Sequence, residues 1–135
     1  MKHHRFPPRD PREWLNRARS NLNRAREVHV DCYLEDALFD AQQAAEKAIK
    51  AVFVARKESF PYSHDLGRLL ELLKIGGVKI PKYLGKSPDL TKYAGVSRYP
   101  EMADPVPLRE YRRLLRIAES VVAWAERQVA KSMAD

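Results

Sequence analysis

The chain has 135 residues, of which 44% are apolar and 32% are charged. This length suits one domain with one core, and the apolar share is too high for a disordered chain. No apolar run is long enough to cross a bilayer, and the first ten residues lack the apolar middle of a signal peptide. We therefore expect a cytoplasmic protein that does not engage a membrane. The single cysteine, Cys32, has no internal disulfide partner and is expected to fill space in the packing rather than to act as a nucleophile.

Positive charge is concentrated in two parts of the chain. The formal net charge is +7 at pH 7. Residues 1–30 carry eight Lys or Arg against three acids, and residues 61–100 carry seven against three. A basic surface attracts phosphate-bearing or acidic partners, although a charge of this size also serves simply to keep a small domain soluble. Charge therefore favours a nucleic acid partner only slightly.

The first helix is predicted from Asp10 to about His29. Asp10 is suited to cap the free amides of the first turn, and Glu13 stands where it completes a capping box. We expect residues 1–9 to be a flexible basic N-terminus and residues 10–132 to form a single helical domain. The inward stripe of this helix recurs at helical spacing and consists of Trp14, Leu15, Ala18, Leu22 and Ala25.

The second helix is predicted from about Leu34 to Lys57, and its inward face is rich in alanine. Little side-chain bulk lets neighbouring helices approach closely, so this helix is expected at the centre of the fold. Glu46 and Lys50 are four residues apart, which is the spacing of a surface ion pair worth only about 0.3–0.5 kcal/mol. They are placed, with Lys47, on the outer side of the helix, where a dimer groove is their alternative use.

Three more helices follow. Ser63 is the predicted cap of a third helix that ends at Gly76 and Gly77, and a short helix is expected over residues 88–94. The last helix opens near Pro107, with an outward row of arginines and an inward face, the latter comprising Leu108, Tyr111, Leu115, Ala118, Val122, Ala125 and Val129. Because no segment alternates as a half-buried strand does, the predicted fold is all-α, an antiparallel up-and-down bundle of four to five helices.

Three pieces of the chain, in this order, resemble the HEPN domain. They are the run DAQQAAEKAIK over residues 40–50, YSHDL over residues 62–66 and SRYP over residues 97–100. The likeness extends over nearly the whole chain except its first few residues. It implies a helical bundle, commonly a homodimer, that is often encoded beside a minimal nucleotidyltransferase, sometimes as a toxin–antitoxin pair.

Many members of that family are metal-independent RNases that carry an Arg, four to six residues and then a His. Arg98 stands at the start of this motif in the present chain. The positions where the His falls are occupied by Ala103, Asp104 and Pro105, and none of these side chains is an imidazole base. The resemblance therefore leaves open whether this chain is an enzyme.

The residues of interest for function lie at the second and third pieces of the resemblance and on the last helix. Arg98 supplies a fork that matches phosphate oxygens, and His64 supplies a base near neutral pH. His64 has a structural alternative, which is to bond a loop carbonyl and lock the second helix against the third. Arg98 likewise has the alternative of pairing with an acid at a structural corner. The residues predicted to bind a nucleotide or RNA are Arg98, Tyr99, His64, Asp65, Arg109 and Arg113, with Tyr93 as a further stacking surface.

Three functions remain open at this point. The first is a nucleotide- or RNA-associated HEPN module, a homodimer that works beside a nucleotidyltransferase partner. The second is a metal-independent RNase toxin in which Arg98 acts with a non-standard base such as His64. The third is a non-catalytic helical adaptor that binds only protein. In all three we expect no metal and no cofactor.

Overall fold

The computed structural model describes residues 4–95 and 104–134, and within them the chain forms helices and no strand. The α-helices are α1 (Pro11–Arg26), α2 (Leu34–Ala55), α3 (Leu66–Ile75) and α4 (Leu108–Ala134), and two 3₁₀ helices span Lys82–Leu84 and Ser87–Ala94. This architecture confirms the predicted all-α antiparallel bundle. No helix in the described ranges combines the length and the apolar character needed to cross a membrane.

The helix α2 lies at the centre of the bundle, where it packs against α1, α3, α4 and the second 3₁₀ helix. Ala41, Ala44 and Ala48 on its inward face have no exposed surface. Because an alanine adds a single methyl group to the backbone, the neighbouring helices can approach α2 closely. The central place predicted for this helix is confirmed.

The start of α1 is capped as predicted, but by one side chain rather than two. The Asp10 carboxylate accepts a hydrogen bond from the Arg12 N–H at 2.9 Å. The predicted capping box is wrong, since the Glu13 carboxylate accepts from the Phe6 N–H at 3.0 Å instead of reaching back to Asp10. The preceding segment therefore competes for the Glu13 carboxylate. The flexibility expected of residues 1–9 stays a prediction.

Two helices end earlier than their patterns predict. The helix α1 ends at Arg26, three residues before His29, and α2 ends at Ala55, two residues before Lys57. Lys57 has a φ of 57°, a left-handed conformation that cannot continue the helix. Cys32 lies exposed in the α1–α2 connection, so its expected role in packing is wrong.

The inward face of α4 is broader than predicted. Leu108 is 48% exposed and Leu115 is only half-buried, whereas the pattern placed both inward. The residues of α4 that are buried are Tyr111, Leu114, Ala118, Val121, Val122, Trp124, Ala125 and Val129. The wide stripe arises because α4 contacts α1, α2 and both 3₁₀ helices.

Candidate functional site

A buried polar network lies on α2 beneath the segment that leads into α3. Gln42, Glu46 and Lys50 recur every four residues along one stripe, and they are exposed by only 0%, 4% and 6%. The Lys50 ammonium lies 2.9 Å from one oxygen of Glu46, and the Gln42 amide donates to the other oxygen at 2.9 Å. The predicted surface ion pair is therefore wrong, because this pair is buried.

The cover over this network comes from residues 60–64. The Lys50 ammonium lies 5.1 Å from the centre of the Phe60 ring, which is itself partly buried. His64 reaches the network from the other side with Nδ1 at 2.8 Å from the Glu46 carboxylate. Contacts between residues so far apart in sequence are invisible to helical periodicity, which explains why the prediction placed Glu46 and Lys50 outward.

His64 has the features of both roles predicted for it. Its ring bonds the Glu46 carboxylate rather than a loop carbonyl, and its own backbone carbonyl accepts from the Gln42 amide at 3.3 Å. These two bonds tie the start of α3 to α2. The imidazole is nevertheless 49% exposed, so part of the ring remains accessible to a ligand.

The charge of Glu46 sets the proton arrangement on His64. Burial alone raises the pKa of Glu46, but hydrogen bonds from Gln42, Lys50 and His64 outweigh it and hold the pKa below its ordinary value. An ionised carboxylate only accepts, so Nδ1 of His64 carries the proton that this bond requires. Nε2 is then the nitrogen of the ring that is left for a ligand, and it has no partner within the described residues.

Asp65 caps α3 and occupies the place predicted for Ser63. The Asp65 carboxylate accepts from the Arg68 N–H at 3.1 Å, while the Ser63 hydroxyl accepts from the Asp65 N–H at 3.1 Å. Both side chains thus satisfy backbone donors at one turn, and the predicted cap was two residues too early. Asp65 remains exposed, and its role toward a ligand stays a prediction.

The second 3₁₀ helix joins the start of α3 to the start of α4. The Leu66 N–H donates to the Thr91 hydroxyl at 3.2 Å. On the same 3₁₀ helix, Asp89 pairs with Arg113 of α4 at 2.9 Å. The turn that carries His64 is therefore connected to the first turns of α4 through one short element.

The two predicted arginines of α4 differ in their surroundings. Arg113 is held between Glu110 at 2.7 Å and Asp89, and these hydrogen bonds raise its pKa further above the ordinary arginine value. Arg109 is exposed and has no ion pair to any residue of the described ranges. A phosphate would have to compete with two carboxylates for Arg113 but with neither for Arg109.

Arg98 and Tyr99 lie outside the described residues, as does Ala103. The described residues on either side of this segment are Gly95, which follows the second 3₁₀ helix, and Asp104, which precedes α4. Tyr93 is only 4% exposed, so its predicted use as a stacking surface is wrong. Within the described part of the chain, no three His, Cys, Asp or Glu side chains come together as metal ligands.

Sequence reasoning missed the network that holds His64. Its signal was present in the spacing, because Gln42, Glu46 and Lys50 repeat every four residues between fully buried alanines. A polar stripe that narrow, on a helix that is apolar on both sides, indicates polar residues that are themselves covered.

Comparisons with known proteins agree with this architecture. The family model of the HEPN domain matches residues 11–128. The crystal structure of TT1696 from Thermus thermophilus is 31% identical with a TM-score of 0.76, and the match covers 89% of this chain and 98% of that one. The structure of ST0689, an archaeal HEPN homologue, is 23% identical with a TM-score of 0.68 over 94% of this chain and 99% of that one, which supports the fold alone. A search among curated proteins finds no match. Because the family model spans most of the sequence, the chain belongs to the HEPN domain family.

Proposed function

We propose that this protein is a nucleotide- or RNA-associated HEPN module, a homodimer that works beside a nucleotidyltransferase partner. The partner supplies catalysis, and this chain supplies binding or is the regulated member of the pair. The observation that carries the proposal is the hydrogen bond between Glu46 and His64. It joins two of the three pieces on which the family resemblance rests, and it leaves an oriented imidazole half exposed.

The chemistry of His64 suits a phosphate group. With Nδ1 held by Glu46, protonation occurs at Nε2, and the new N–H is then available to a phosphate oxygen. The Tyr62 ring lies 5.7 Å from the His64 ring and is 94% exposed, so it offers a face on which a base can stack. Arg98 and Tyr99 are proposed as further ligand contacts, with Asp65, Arg109 and Arg113 on the neighbouring turns.

The first test is binding of a fluorescently labelled single-stranded RNA by the purified protein. The His64→Asn variant keeps an N–H near the position of Nδ1 and removes Nε2, while His29→Asn removes an exposed histidine elsewhere. We expect His64→Asn to weaken binding severalfold, most strongly below about pH 6.5, where an ordinary histidine gains its charge. Equal affinity of the two variants would remove His64 from the site, and the absence of any salt-sensitive binding would favour the protein-binding adaptor.

Assembly is tested separately. Light scattering after gel filtration gives the mass of the free protein, which the proposal places at twice that of one chain. Pull-down with the product of a neighbouring nucleotidyltransferase gene tests the partner. The proposal fails if the protein binds neither that partner, nor nucleotide, nor RNA.

A second function is supported by one specific feature of His64. A carboxylate that orients an imidazole, as Glu46 does, is the usual arrangement around a general base. This favours the metal-independent RNase in which Arg98 binds the phosphate and His64 accepts the proton. Cleavage of structured RNA in the presence of a chelator, lost in both Arg98→Ala and His64→Asn, is the expected result for this function. Unchanged cleavage in Arg98→Ala would remove Arg98 from the mechanism.

A further inference from the structure

A cleft of about 460 Å³ lies at the other end of α4 from the candidate site. It is formed by the end of α2, the connection between α3 and the first 3₁₀ helix, and the last turns of α4. Arg127 of this cleft is fourteen residues beyond Arg113, which is about 21 Å along the helix axis. The cleft is therefore a separate surface from the one that carries His64.

The charge of this cleft has one sign. Four cationic side chains line it, and no acidic side chain stands among its described lining residues. The cations are Arg56, Lys79, Arg127 and Lys131. Of these, Arg56 is paired with Glu58, and the other three have no ion pair within residues 4–95 and 104–134.

Helix capping explains only part of this charge. Cations are favourable near helix C-termini, and both α2 and α4 end beside the cleft. Arg56 fits that explanation because it donates to the Gly76 carbonyl at 2.7 Å. Lys79 belongs to no helix, and Arg127 donates to the Tyr83 hydroxyl rather than to a backbone carbonyl. Three cations thus face one concave surface without a charge to balance them.

We infer that this cleft binds a second stretch of single-stranded RNA through its phosphates, with a base stacked on Tyr83. Arg127 and Lys131 are four residues apart on one face of α4, about 6 Å along the axis, so they can contact neighbouring phosphates of one strand. Tyr83 is fixed at its hydroxyl by Arg127 at 2.8 Å, yet 55% of the residue is exposed. Basic grooves with an exposed aromatic ring are how proteins hold single strands without reading sequence.

An acidic protein segment would also be attracted to the cations, but it would make no use of an exposed ring held in place. The inference rests on the proposed function, because it assigns a second contact for the same RNA. A strand that reaches both surfaces gains affinity from each, as linked contacts do.

The experiment compares two double variants that remove the same charge. Lys79→Gln with Lys131→Gln empties the cleft of two cations, whereas Lys74→Gln with Lys86→Gln removes two exposed lysines that do not line it. Affinity for a labelled single-stranded RNA is measured by fluorescence anisotropy over a range of salt. Because each lost phosphate contact lowers the salt slope by about 0.7, we expect the cleft variant to lose about 1.4 of slope and at least about tenfold of affinity near 0.1 M salt. The control variant should lose much less.

Tyr83 is tested with a matched pair of substitutions. Tyr83→Leu removes the ring and should weaken binding about fivefold or more, whereas Tyr83→Phe keeps the ring and should bind nearly as the native protein does. Chemical acetylation gives the location directly, since bound RNA should protect Lys79 and Lys131 but neither Lys74 nor Lys86.

The outcomes separate this inference from the function on which it rests. If the native protein binds no RNA even at low salt, the proposed function and the inference both fall. If RNA binds but the two double variants are equal, only the cleft is excluded. If polyglutamate displaces RNA from the cleft as well as unlabelled RNA does, the cleft is a surface for acidic protein and the assignment to RNA is overturned.

Discussion

Replacing Glu46 with glutamine is expected to be one of the most destabilising polar substitutions in this protein. The change keeps the size of the side chain but removes the charge that faces Lys50, whose ammonium lies 2.9 Å away and whose side chain is 8% exposed. Leaving one charge of a buried pair without its partner costs about 3–5 kcal/mol. This is a large share of the roughly 5–15 kcal/mol that stabilises a domain, and for a chain of this size it lowers Tm by about 10–15 °C.

The assay is urea unfolding followed by the helical circular dichroism signal, with Glu110→Gln as the matched control. Glu110 pairs with Arg113 at 2.7 Å, but both side chains are more than a third exposed, so its loss should cost less than about 1 kcal/mol. The double variant Glu46→Leu with Lys50→Met removes both charges and should unfold close to the native protein or later. If Glu46→Gln costs no more than Glu110→Gln, the burial of this pair does not carry the energy assigned to it.

Three further outcomes are expected. The folded pKa of Glu46 is below its ordinary value of about 4.3, so its stabilisation is complete above that pH and is lost as the pH falls through the folded pKa; urea unfolding from pH 7 to pH 3 should show a smaller loss for Glu46→Gln than for the native protein. Asp65→Ala removes the cap of α3 and should cost about 1 kcal/mol in the same assay, against almost nothing for the exposed Asp104→Ala. Ala44→Leu forces extra bulk between α2 and its neighbours and should lower the thermal midpoint by several degrees, through a cost of about 1–3 kcal/mol or more, while Ala134→Leu at the exposed end of α4 should leave it unchanged.

The helices were predictable because each one is long enough for its period to stand out. The stripe of α1 and the alanines of α2 gave the right elements in the right order, and Asp10 gave the right start for α1. The ends of helices were predicted less well because they depend on local competition. At the start of α3, Ser63 and Asp65 are both good caps, and only the position of the backbone decides that Asp65 bonds the first turn.

The site was predictable in its location but not in its construction. The motif pieces led to His64 and Asp65, which lie on one turn beside α2. The partners of His64 were not foreseen, because helical periodicity assigns a charged residue to the outer face unless something covers it. Phe60 and His64 provide that cover from ten or more residues away in the chain, and such a contact has no signature in the pattern of α2 alone.

The composition of the buried network indicates that it positions His64 rather than stabilises the fold. A well-packed apolar pair would be at least as stable in this place as Glu46 with Lys50, so stability alone does not explain why charges are there. A single buried carboxylate beside His64 would be costly, and Lys50 offsets its charge from beneath while Gln42 fills its remaining acceptor position. The imidazole therefore receives a fixed acceptor for Nδ1 without having to be charged itself. Its Nε2 remains free to respond to a ligand, which is the property that binding or proton transfer at a phosphate requires.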